Sequence, residues 1–166
     1  MNKLGLSVTP LQVQQMDRIL SVLVEDTPAQ FALVIDQSGS VVSSMGENLT
    51  SDLAVLGTLI AGDLSASQEI ARLTGQYQKY QLIIREGDLT NSILAEAGEH
   101  LILYLQISKS SPLGWVRLRV LEACRELKEF VFLPGNEFGL DLDLNTSGSK
   151  SISDLTDDAL DSMWIN

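Results

Sequence analysis

An apolar run ending at Ile35 leads into Asp36, Ser38 and Ser40. A carboxylate followed by two hydroxyls at alternate positions is the oxygen chemistry a hard divalent cation needs, provided that further ligands converge from other strand ends. Val41 to Ser44 reads instead as a strand coming back, so Asp36 and Gly39 are read as hairpin turn residues. Asp141, Asp143 and Asn145 open like a calcium loop, but Thr146 and Ile152 occupy the positions where that loop requires Gly and a bidentate Glu. His100, the single histidine, stands where a turn enters a strand and offers no zinc triad, Ser-His-Asp set or Cys-His pair. Glu96 with Glu99, and Asp157 with Asp158, read as solvated acids with no pocket to shift them. Gly57 and Gly62 fall inside a helical pattern, not in a phosphate-cradling loop. Nothing here nominates a catalytic residue, a metal or a cofactor, and the chain is expected to act by contact.

The contact surface is legible between Leu53 and Leu73. At 100° per residue, Leu53, Leu56, Ile60, Leu64 and Ala71 form one row and Val55, Leu59, Ala66, Ile70 and Leu73 a second. One row covers a sheet; the second asks for a partner. Ala54, Gly57, Ala61 and Ser65 run beside them, small enough to let another backbone approach.

The elements that must position this helix follow from caps, periodicity and turns. Thr9, Pro10 and Gln12 form a start signal for an amphipathic helix from Leu11 to Val24, with Met16, Ile19, Leu20 and Leu23 inward. Phe31 to Ile35 and Ser40 to Ser44 make a hairpin. After the middle helix, Gly75 is a stop, and three strands follow: Tyr77 to Glu86, one ending near Glu96, and Leu101 to Ile107. The last strand is apolar on both faces, so helices must cover both sides of the sheet. Ser111 and Pro112 open a final helix with Leu113, Val116, Val120, Cys124, Leu127 and Val131 inward. The order gives an α/β class fold, an α/β/α sandwich on a five-stranded antiparallel sheet.

Bulk properties narrow the partners. The 166 residues are 45% hydrophobic, enough for one domain with a core of its own, placed at residues 9–130. A net charge of −11 argues against a nucleic-acid surface. Residues 131–166 hold seven acids against Lys150 alone and lose the earlier periodicity, so they read as an acidic, mostly extended tail. Within it, Ser151 to Trp164 sets Ile152, Leu155, Ala159, Leu160, Met163 and Trp164 among acids, as a short amphipathic segment does. No apolar run reaches the roughly 18 residues of a membrane span and no secretory signal is recognised, so a cytoplasmic location is expected.

Four stretches together resemble the Roadblock/dynein light chain domain family, and within it the bacterial MglB-like branch. They are FALVIDQSGSVV (Phe31 to Val42), LAVLGTLIAGDLSASQEIARLTG (Leu53 to Gly75), EAGEHLILYL (Glu96 to Leu105) and PLGWVRLRVLEACREL (Pro112 to Leu127). The resemblance implies a homodimer in which the middle helix and third strand meet their symmetry mates, with a seam of Leu53, Val55, Leu59, Ala66, Ile70, Tyr80 and an exposed Ile83. It further implies a regulator that binds a Ras-like small GTPase of the MglA type and speeds hydrolysis by moving the GTPase's own switch loops. A dimeric scaffold without effect on any reaction is the alternative. Ala61, Asp63, Ser65, Gln68, Glu69 and Arg72, judged outward-facing, are the candidate partner contacts. Arg117, Arg119 and Arg125 read as the solvent face of the last helix, paired with Glu122, Glu126 and Glu129.

Overall fold

The computed structural model describes residues 8–47, 49, 52–75 and 82–131. The chain divides into two units, residues 1–136 and 137–166, and every described residue belongs to the first. The expected tail beyond residue 131, Tyr80 and the start of the third strand lie outside the described residues.

In chain order the elements are α1 (Pro10–Asp26), β1 (Ala29–Asp36), β2 (Val41–Gly46), α2 (Leu53–Leu73), β3 (Leu82–Glu86), β4 (Thr90–Ala97), β5 (Leu101–Ser108) and α3 (Leu113–Val131). The five strands form one sheet in the order β2-β1-β5-β4-β3, every neighbouring pair antiparallel. The fold class expected from sequence is the one observed.

Local chemistry explains where the elements begin and turn. The α1 cap is reciprocal: Gln12 N–H donates to Thr9 Oγ1 at 3.3 Å and Thr9 N–H to Gln12 Oε1 at 2.7 Å, two orphan donors satisfied together. Asp52 caps α2 by accepting from Val55 N–H at 3.4 Å. Asp36 closes the β1–β2 turn, its Oδ1 accepting from Ser38 N–H (2.9 Å), Ser38 Oγ (2.6 Å) and Ser40 N–H (2.9 Å). Asp36 thus acts as the turn residue that the sequence reading assigned to it. Val42 is an extra residue in β2, since Val34 pairs with Ser43 and Ile35 with Val41, which makes a bulge in an edge strand.

Two cores flank the sheet. On one face α1 and α3 bury Met16, Leu20, Val116, Val120 and Leu127 against Val34, Ile93, Leu103 and Leu105. On the other, Ile60, Ala61 and Leu64 of α2 pack on Phe31, Leu33, Ile35, Leu94 and Ile102. Because β5 sits at the centre, Leu103 and Ile102 face opposite cores, as its doubly apolar sequence requires. Cys124 is buried in the first core, and desolvation pushes its thiol up to about 12. It packs there as a small apolar side chain.

Arg119 departs from the sequence expectation. Besides pairing with Glu122 at 2.5 Å on its own helix, it bonds Asp26 at the end of α1 and lies 5.8 Å from the centre of the Trp115 ring. Trp115 in turn donates its indole N–H to the Asp26 carbonyl at 3.2 Å. The guanidinium is a clamp between two helices, a role invisible in i, i+3 spacing.

Candidate functional site

The candidate site is the outer face of α2. Of its two apolar rows, the first is covered: Ile60, Leu64 and Ala71 are buried, and Leu53 and Leu56 pack half-buried at the helix start. The second row is bare. Val55 is 53% exposed, Leu59 65%, Ile70 56% and Leu73 69%, with Gly62 and Ala66 between them. Four large apolar side chains on one helix face hold water against roughly 25 cal/mol per Å² of transfer free energy, a strong bias towards a covering surface.

The small residues beside that row divide by direction. Gly57 is buried against the β1–β2 turn, where an added Cβ would press into the Gly39 carbonyl oxygen and meet Val41 Cγ2 at 3.0 Å. Gly39 itself adopts φ +89° under Thr58, a conformation glycine takes without strain. Gly57 therefore seats α2 on its own hairpin and is not available to a second backbone. Gly62 is the opposite case, since a Cβ there would meet nothing within 4 Å.

Several site assignments change with the structure. Ala61, nominated as a partner contact, is only 7% exposed and belongs to the core beneath α2, because it lies towards the row that covers the sheet. Leu53 and Ile83, assigned to the seam, are half-buried and pack into the same core. Alternation along β3 turns Ile83 and Arg85 towards α2, and the exposed apolar residue of that strand is Ile84, because α3 packs over β4, inboard of β3. Exposure logic from sequence put the outward side chain one residue off, which on a strand reverses the face.

The remaining nominated residues form two polar groups. Asp63 makes a two-pronged ion pair with Arg85 of β3, one arm being Nη2 to Oδ1 at 2.5 Å, and this carboxylate raises the guanidinium above its ordinary value. Gln68 donates through Nε2 to Glu96 Oε1 at 2.6 Å. These two contacts tie α2 to β3 and β4. Glu69 and Arg72 pair on the helix surface at 2.8 Å, the hydrogen bond holding the carboxyl below and the guanidinium above their usual values. Ser65 is exposed and donates its hydroxyl to the Ala61 carbonyl at 3.0 Å.

A cleft of about 660 Å³ opens between β2 and the start of α2, lined by Ser38 to Ser44, Leu53, Ala54, Thr58 and Asp17. Asp17 is its one ionisable lining group among the described residues, and it accepts a hydrogen bond from the Ser43 hydroxyl. Among the described residues no three His, Cys, Asp or Glu side chains group as metal ligands, and no helix is long and apolar enough to cross a membrane.

No protein-family model and no curated protein matches the chain. Solved structures do. An MglB with tetrameric arrangement is 28% identical with a TM-score of 0.68, over 79% of this chain and 96% of that one. Myxococcus xanthus MglB is 25% identical with a TM-score of 0.69, over 75% and 92%. A Roadblock/LC7 domain from Streptomyces avermitilis is similar in fold, with 19% identity and a TM-score of 0.63 over 69% and 95% of the two chains.

Proposed function

We propose that this chain, a Roadblock-fold protein similar to MglB, is a homodimeric regulator of a Ras-like small GTPase of the MglA type. Two copies meet along the outer row of α2, and the paired helices form a platform on which the GTPase docks. The observation that carries this reading is the bare row of Val55, Leu59, Ile70 and Leu73 on a helix whose other row is already used by the sheet.

The chemistry asked of such a regulator is small. Phosphoryl transfer depends mainly on positioning and charge stabilisation, so a protein that reshapes switch loops accelerates hydrolysis while lending no group to it. Ser65, Glu69 and Arg72 are the outward polar contacts for the GTPase, with Asp63 and Gln68 at the margin of the platform. The protein works in the cytoplasm, where such a GTPase cycles.

The test is GTP hydrolysis by an MglA-type GTPase with and without the full chain. Turnover is expected to rise severalfold to saturation. Tight binding with unchanged turnover supports the scaffold instead, and no binding overturns both.

A further inference from the structure

Resting on the reading that the bare row of α2 is a seam between two copies, we infer its register: the two-fold axis passes beside Leu64, and Gly62 of one copy crosses Ala66 of the other.

The row is a palindrome in side-chain size. Val55 and Leu73 stand nine residues either side of Leu64, Leu59 and Ile70 five and six, and Gly62 and Ala66 two. All six are exposed, or in the case of Gly62 face open space. A two-fold contact demands that if residue i meets residue j of the partner, then j meets i. Antiparallel helices about Leu64 satisfy this with large side chains at both ends and the two smallest at the crossing. Helix axes approach to about 8–10 Å according to the side chains between them, and Gly against Ala permits the near end of that range. Leu59 of each copy then lies beside the partner's Ile70, and Val55 beside the partner's Leu73. A centre at Gly62 or Ala66 also brings small side chains together, but it carries Ile70 and Leu73, or Val55, beyond the partner's row, and a centre at Leu59 or Ile70 sets large against large at the crossing.

The pattern also separates the roles of two glycines on one helix. Gly57 serves the fold of its own chain, and Gly62 serves the pair. A side chain at position 62 is compatible with the monomer and obstructs the crossing.

Disulfide trapping reads the register directly. The Leu59→Cys and Ile70→Cys chains are to be co-expressed and oxidised; Cys124 can stay, because it is buried and its thiol is held up to about 12. The mixed pair is expected to cross-link. Leu59→Cys alone is not, since about ten residues of offset put the two positions about 15 Å apart at 1.5 Å per residue, beyond the reach of a disulfide. In parallel, Gly62→Leu is expected to weaken dimerisation at least tenfold while leaving the far-ultraviolet spectrum unchanged. A Leu59→Cys self-cross-link, a failure of the mixed pair to link, or an undisturbed Gly62→Leu dimer overturns the register while the unmodified chain still sediments as a dimer. A monomeric unmodified chain overturns the seam itself.

Discussion

At Gly57 a single hydrogen atom decides how the helix lies. Its Cα faces the Gly39 carbonyl so closely that a methyl group would have to push α2 away from the hairpin. Gly57→Ala is therefore expected to cost about 1–3 kcal/mol despite the better helix propensity of alanine, as overpacking of a tight contact does. Chemical denaturation checks it, and an unchanged midpoint would show that the turn gives way. In the sequence, Gly57 and Gly62 are indistinguishable, both glycines in an apolar helix. Only the fold separates them, because the neighbour that matters to Gly57, Gly39, lies in a different element. Asp36 was legible by contrast, since its hydrogen-bond partners, Ser38 and Ser40, sit two and four residues away.

Helix and strand boundaries were largely readable because local rules govern them. The middle helix runs from Leu53 to Leu73 as its periodicity indicated, and Thr9, Pro10 and Gln12 start α1 through their capping box. What sequence could not give was the packing of elements distant in the chain. Arg119 reads as one more charge on an exposed helix face, yet 93 residues separate it from Asp26, with which it clamps α3 to the end of α1. Arg119→Ala is expected to lower stability by about 1–2 kcal/mol, through the lost ion pairs and the lost stacking on Trp115. Arg125→Ala, which removes only a 3.9 Å contact on the same helix, should change it by less than about 0.5 kcal/mol. Equal losses in the two variants, measured by urea titration, would show that the clamp contributes nothing. The faces of β3 show the same limit: which of its side chains lie inward depends on where α2 and α3 lie.

For the whole molecule, the decisive quantity is how much apolar surface remains after the chain has satisfied itself. Leu59 is more than half exposed, so Leu59→Asp adds a charge that the single chain tolerates in water. At a two-fold seam the same carboxylate is buried twice, each time unpaired and against apolar side chains. The variant is expected to fold, sediment as a monomer and lose GTPase stimulation together. Analytical ultracentrifugation with the hydrolysis assay tests this, and a variant that stays dimeric places the seam elsewhere. The sequence revealed the surplus row because periodicity alone distinguishes one apolar stripe from two. It misjudged Ala61 and Ile83, since deciding which side of each element the core claims takes three dimensions.

The bulge at Val42 carries a consequence for growth. A flat outer strand at each side would let copy add to copy without end, and the product would be a ribbon. Here one margin is kinked by an extra residue, so the hydrogen-bonding ladder of a newcomer cannot run along it in step. Strand addition is therefore disfavoured on that flank, and the protein is expected to form no β-ribbon through it.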